Sequence, residues 1–396
     1  MTKRRLTGSN WLPLLSLLIL LLLPSCSQDG RVADNSGPQP LSFAVSSDDR
    51  VDTRGVARNV LSGAFGVIGA EYSGAWDGSE TPTLMFNDAV IGSDGDYKTS
   101  MAYVPDANKR FSFFAYYPYS NKIERPTNPL HMETDEDTPG FPYFTYQVPA
   151  DVSKQEDIMV AMAHQTYGTD VNGRIINRST GEEERVQLQF HHLLAAVRFK
   201  VNNDFDKGRI TRLALTNLDD KGVFAYGAES ATPGEYDYNW AEKPTHKNTF
   251  YVNLDFALTG KGEVNGTGDT NNLLDLTDVD ETFLLIPQTL NTGVKIQITY
   301  TNGVNEFNLE YPIGLKTKSN PITLERSAIT TFYLYIDAIH RINAKVSITD
   351  WNDGYTFDGG VSDQDQIDLG TVIKDWDDED SNGDSTTKDI QTGAQD

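Results

Sequence analysis

The one cysteine of this chain, Cys26, ends the run Leu23-Pro24-Ser25-Cys26. A small residue and then a thiol make a lipoprotein cleavage box. The peptide is cut before the cysteine, whose sulfur takes a diacylglyceryl group. Lys3, Arg4 and Arg5 come first, then the apolar run Trp11 to Leu23. That run of about 13 residues is short of the roughly 20 that cross a bilayer as a helix. Residues 1–25 therefore read as a lipoprotein signal peptide, and lipid would hold the mature chain to a membrane without a span.

Other residue types that do chemistry fall in poorer contexts. Asp378, Asp380, Asn382, Gly383 and Asp389 follow a calcium-loop spacing. The flanks are not helical, position eight is Ser385, and the last ligand is Asp where Glu is usual, so a solvated acidic run is the better reading. His191 and His192 are adjacent, and neighbours on a strand point to opposite faces, so they do not share one ion. His131, His164, His246 and His340 show no ligand spacing. There is no Gly-x-Ser-x-Gly elbow, no phosphate-binding Gly-x-x-x-x-Gly-Lys loop and no cysteine left as a nucleophile. No enzyme, no metal and no cofactor is expected.

Charge and composition narrow the class further. A net charge of −24 argues against a nucleic-acid partner. A single cysteine excludes a disulfide framework. The charge is uneven: +3 over residues 1–25 and −9 over residues 361–396. Beyond Lys374 the tail is acidic and polar, a composition that favours disorder.

The body reads as strands. Ser27 to Pro40 is a polar linker, and Leu41-Ser42-Phe43-Ala44-Val45 is one short alternating strand. Phe111 to Pro118 is aromatic-rich. Val186–Phe190, Ala195–Val201, Ile210–Leu215, Val294–Tyr300, Phe332–Ile336 and Ala344–Ile348 alternate apolar and polar. Period two places one face on a core and one in water, as in antiparallel sandwiches. The best short helix candidate is His191 to Ala196. The expected class is all-β. Val197 and Phe199 should be core, and Arg198 and Lys200 should face water.

The ordered segments resemble the Bacteroidetes fimbrillin family, in its minor-fimbrillin-like branch. They are the Leu41–Val45 strand before Thr53-Arg54, FSFFAYYP from Phe111 to Pro118, and Asp157 to Ala161. VQLQFHHLLAAVRFKV from Val186 to Val201, Ile210 to Asn217 and Gly222-Val223-Phe224 follow. FLLIPQTL from Phe283 to Leu290 and VSITDW from Val346 to Trp351 complete the set. The resemblance implies two tandem transthyretin-like β-sandwich domains and a surface pilus subunit assembled with other fimbrial subunits by strand exchange. It also implies export as a lipoprotein to the outer membrane and, in polymerising members, cleavage by an arginine-specific protease. Ser27-Gln28-Asp29-Gly30 partly resembles the short signal that sends such lipoproteins to the outer face.

On that basis residues 26–54 are a linker with a removable first strand (Leu41, Phe43, Val45), and Arg54, Arg50 and Arg58 are rival cut sites. Residues 55–192 form the N-terminal sandwich, residues 193–360 the C-terminal one, and residues 361–396 an acidic tail. Ile367, Leu369, Thr371 and Ile373, expected on one face, make a candidate donor strand. A cut protein would enter a fimbrium, and an uncut one would remain a surface-exposed lipoprotein. The adhesion ligand, on host or bacterial surface, stays open. The alternative is a monomeric surface lipoprotein whose loops bind a glycan or host ligand through Trp76, Tyr236, Tyr238 and Trp240.

Overall fold

In a computed structural model the chain is described at residues 39–47, 64–74, 83–93, 96–103, 105–119, 132–135, 138–203, 208–229, 236–241, 246–258, 273–278, 280–314, 321–336, 342–350 and 367–372. These residues are all-β. Among them the only helical segment is one 3-10 turn, Val152–Lys154, capped by the Asp151 side chain.

The first ten strands are β1 (Gln39–Ser47), β2 (Phe65–Tyr72), β3 (Thr83–Ser93), β4 (Asp96–Tyr103), β5 (Arg110–Tyr117), β6 (Met132–Asp135), β7 (Thr138–Gln147), β8 (Met159–Thr169), β9 (Ile175–Asn177) and β10 (Val186–His192). After them come β11 (Ala195–Asn203), β12 (Gly208–Asp219), β13 (Lys221–Glu229), β14 (Tyr236–Ala241), β15 (Lys247–Leu258), β16 (Leu274–Asp275) and β17 (Phe283–Leu285). The last are β18 (Gln288–Thr289), β19 (Lys295–Thr301), β20 (Glu306–Pro312), β21 (Thr323–Leu324), β22 (Ala328–Ile336), β23 (Ile342–Asp350) and β24 (Ile367–Val372).

The largest sheet runs β10-β1-β4-β3-β2-β5-β8-β9. Its path closes on itself because β10 changes partner along its length. Val186–Phe190 lies parallel to β1, whereas His191 and His192 pair with Val160 and Met159 of β8. A strand that switches neighbours at a corner joins two layers around one interior. That interior is aromatic: Phe43, Phe65, Tyr97, Phe111, Phe113 and Phe190 are completely buried in it, with Leu41, Val67, Val186 and Leu188 around them.

Strands β2 and β5 are covered on both faces. Phe65, Val67, Phe111, Phe113 and Ala115 point into this interior. Ile68, Ala70, Phe114 and Tyr116 point the other way, into a second and larger core. Burial on both faces erases the polar alternation that marks a half-exposed strand. Gly66 sits opposite Tyr116, and a Cβ there would meet the ring at 2.0 Å, so only glycine fits.

The larger core runs on through the second half of the chain. Sheet β16-β11-β22-β23-β24 and sheet β15-β12-β19-β20 share it. Phe199 is the meeting point, stacked on Phe332 at 5.5 Å and edge-on to Phe283 at 5.5 Å. Val197 and Phe199 are fully buried, as their positions in the alternation require. Arg198 and Lys200 are half-buried and engaged, Arg198 Nε with Thr282 Oγ1 at 3.2 Å and Lys200 Nζ with Asp275 at 3.2 Å. A third sheet, β14-β13-β7-β6, pairs strands from both sides of residue 193. The Tyr226 hydroxyl of β13 donates to the Ala115 carbonyl of β5 at 2.6 Å, buried, and ties that sheet to the first.

One local reading is corrected, and the pairing of the last strand is added to it. His191 to Ala196 is not helical: it is the end of β10, the pair Leu193-Leu194, and the start of β11. Both leucines are fully buried, so the turn is held by packing rather than by a helical ladder. In β24, Ile367 lies opposite Val346 and Val372 opposite Ile342 of the same chain, with a register shift between Asn343 and Lys345.

Candidate functional site: the seat of the first strand

Strand β1 is held by two short ladders that overlap at one residue. Gln39, Pro40, Ser42 and Phe43 face Tyr103, Ala102, Lys98 and Tyr97 of antiparallel β4. Phe43, Ala44, Val45, Ser46 and Ser47 face Val186 to Phe190 of parallel β10. Among the described residues of β1, only Phe43 therefore has a ladder partner on each side. A bulge separates Pro40 from Ser42, and the Leu41 N–H there donates to Thr99 Oγ1 at 3.0 Å. Parallel ladders are somewhat weaker per residue than antiparallel ones. Backbone pairing thus fastens β1 lightly for a strand lying inside a sheet.

Side chains supply what the ladders do not. Phe43 is completely buried and meets Phe65 and Phe113 edge to face, at 6.2 and 5.8 Å. Leu41 is buried beside it, Val45 is half-buried, and Ser46 is exposed. Phe65 in turn touches Tyr97 at 5.4 Å and Phe190 at 5.3 Å. Without β1, the floor of its seat would be this ring cluster, and its walls the facing edges of β4 and β10. Such a trough is complementary to an extended strand with apolar side chains on one face.

A cavity of about 410 Å³ opens at the amino-terminal end of the seat, lined by Pro40, Leu41, Tyr103, Ile175, Glu183 and Val186 among others. Its rim is pinned. Asp170 accepts from the Arg174 backbone N–H at 2.9 Å and Arg174 Nε at 2.7 Å, and Arg174 also reaches Glu183 at 3.3 Å. Desolvation pushes the Asp170 carboxyl up, but the hydrogen bonds from Arg174 and Asn172 outweigh it and hold the group below its usual value.

Of the residues singled out in sequence, Leu41, Phe43 and Val45 are thus brought together with β10, and Ile367, Leu369 and Thr371 stand in β24. Cys26, Arg50, Arg54, Arg58 and Ile373 lie outside the described residues, as does the Asp378–Asp389 run. The rest of the seat was missed: Phe65 sits in a strand buried without alternation, Tyr97 in one not singled out, and nothing local links β10 to β1. His192 is buried 2.7 Å from Asp157, a packed pair rather than half of a metal site with His191. Ser112 Oγ lies 2.7 Å from His164 Nδ1 and 3.2 Å from the Tyr72 hydroxyl, and all three residues are buried out of reach of a substrate. His246 Nδ1 lies 2.6 Å from the buried Asp220 carboxylate, which also accepts from Gln147 and Asn248. Trp240, one of the aromatics considered for a glycan, donates its indole N–H to the Leu193 carbonyl at 3.1 Å and packs on Phe224. That ring is structural.

A profile of fimbrillin-like proteins matches residues 74–351. The chain belongs to the fimbrillin-like family. This is a family of fimbrial structural subunits and not of enzymes. The fimbrillin-like chain is 25% identical over 377 residues to the fimbrium subunit Fim1C of Phocaeicola vulgatus, covering 87% of this chain and 96% of that one. A fimbrial protein from Bacteroides vulgatus superposes with a TM-score of 0.48 at 18% identity, over 79% of this chain and 100% of that one. The tip fimbrial protein Mfa3 from Porphyromonas gingivalis, truncated at its C-terminus, gives a TM-score of 0.37 at 12% identity, over 79% of this chain and 100% of that one.

Proposed function

We infer that this protein is a fimbrial subunit of the cell surface, built as two tandem transthyretin-like β-sandwiches and joined to neighbouring subunits by exchange of β1. The observation that carries the reading is the seat of β1, an aromatic trough whose occupant is paired on both sides only at Phe43. A strand held by buried side chains and few ladder bonds is replaceable by another strand with the same apolar face. Membership of the fimbrillin-like family, and a relative that is itself a fimbrium subunit, support the assignment. A cut at Arg50, Arg54 or Arg58 frees β1 from β2. The strand around Ile367, Leu369 and Thr371 is the candidate donor to a neighbouring subunit. Adhesion is the purpose of the resulting fibre.

Mixing purified mature protein with an arginine-specific protease tests this directly. Cutting between Ser47 and Phe65 should turn monomers into a ladder of oligomers on size-exclusion chromatography. Persistence of monomers after complete cutting would refute strand exchange.

The same reading places the protein on the outer membrane through lipid on Cys26, before any processing. Labelling cells with a fatty-acid probe should mark the wild-type protein and leave Cys26→Ala unmarked and released. Equal label on both would remove the lipid anchor from the account.

A further inference from the structure

The cavity beside Pro40, Leu41 and Ser42 has a shape that β1 itself does not use. On the β4 side Pro40 and Ser42 sit in the antiparallel ladder, with Leu41 at the bulge between them, but β10 begins pairing only at Val186, opposite Phe43. The cavity stands where an earlier β10 neighbour would continue, lined by Glu183 to Val186 as well as by Pro40 to Ser42, with Tyr103 and Ile175. It is therefore a gap between the start of β1 and the segment that leads into β10. A strand residue within packed sheets fills about 160 Å³, from the strand spacing, the rise and the sheet spacing. The cavity of about 410 Å³ thus holds roughly two to three residues of a strand.

Resting on the strand-exchange reading above, we propose that this cavity is the toe-hold where the incoming strand of a second subunit first docks. Exchange then proceeds without β1 having to leave first. The newcomer places an apolar side chain against Leu41, Tyr103, Ile175 and Val186 and lies along Glu183–Val186. It next pairs with β10 from Val186 toward Phe190, displacing β1 at Phe43 and then peeling it away from Ala44 to Ser47, where the parallel ladder alone holds it. The aromatic floor is never open to water, because each ring uncovered by β1 is covered by the strand replacing it. Ser46, toward the opposite end of β1, is exposed.

The test uses the full mature chain with a specific protease site placed between Asp48 and Arg58, cut and left with β1 in its seat. A fluorescent peptide copying Gln39–Ser47 is added, and its incorporation is followed by anisotropy over a range of peptide concentrations. Docking at a toe-hold makes the exchange rate proportional to peptide concentration. Filling the cavity with Ile175→Trp, or with Arg185→Trp on its exposed rim, should then lower the second-order rate at least tenfold, the melting temperature of the cut protein staying the same. A rate independent of peptide concentration would overturn the proposal, since β1 would then be departing unaided. A concentration-dependent rate that neither tryptophan slows would overturn the placement at this cavity, with strand exchange itself left standing. No incorporation under any condition would instead remove strand exchange, and the toe-hold with it.

Discussion

Cutting the chain between Ser47 and Phe65 and washing β1 out under mild denaturant should lower the melting temperature of the protein by on the order of 10–20 °C. Two of the side chains lost, Leu41 and Phe43, are buried to 7% and 0% exposure. Each contributes about 1.5–3 kcal/mol by burial alone. The edge-to-face contacts of Phe43 with Phe65 and Phe113 add about 0.5–1.5 kcal/mol apiece. A loss near 5 kcal/mol is large against a typical total of about 5–15 kcal/mol, and each kcal/mol moves the midpoint by roughly 2–4 °C in a domain of this size. Adding the Gln39–Ser47 peptide should restore the midpoint as a function of its concentration, because it binds the folded form only. The check is differential scanning calorimetry of the intact, stripped and refilled protein. A stripped protein that melts with the intact one would mean that β1 contributes nothing to its own sheet.

Phe65→Ala should produce the largest effect of any single substitution in the smaller core, about 3–5 kcal/mol. The ring is fully buried and touches Phe43, Tyr97 and Phe190 together, so no neighbour relaxes into the hole without abandoning another contact. The loss should fall first on the sheet containing β1, since Phe65 lies in the smaller interior, although β2 and β5 of that sheet also pack into the larger core. The unfolding midpoint should therefore move to lower urea, and the cut variant should bind the β1 peptide at least tenfold more weakly. Urea denaturation followed by near-ultraviolet circular dichroism reads the midpoint. Phe65→Leu should recover much of the loss, and Ser46→Ala, exposed on β1, should stay within about 0.5 kcal/mol of wild type. A single unshifted transition for Phe65→Ala would show that the aromatic trough does not support β1.

How far the architecture could be read in advance depended on what each strand faces. In β10, Val186, Leu188 and Phe190 are buried while Gln187 and Gln189 are exposed, and in β19 Ile296, Ile298 and Tyr300 alternate with half-buried residues. Those segments announce themselves, because water on one face imposes a polar residue at every second position. Strand β2 carries no such mark. Phe65 to Ala70 is buried without interruption, one face on the aromatic interior and the other on the larger core. With no wet face, the only local constraint on FGVIGA is that everything fit, and Gly66 under Tyr116 records that fit without revealing it.

The first strand shows the same division. Leu41, Phe43 and Val45 are legible as one apolar face, and the lipid-accepting cysteine with its basic and apolar leader is legible from residue types and spacing alone. Both are properties of a contiguous stretch read against water or against a processing chemistry. That Phe43 faces Val186 on one side and Tyr97 on the other, and that only this residue of β1 is paired twice, belongs to the tertiary structure. So do the turn of β10 from β1 to β8 at His191 and the unfilled gap at Pro40–Ser42. Backbone hydrogen bonds are alike at every residue, so a strand's own sequence does not choose its neighbours. The choice falls to the packing of rings far apart in the chain: Phe43, Phe65, Phe113 and Phe190 fill one interior together only when β1 lies between β4 and β10.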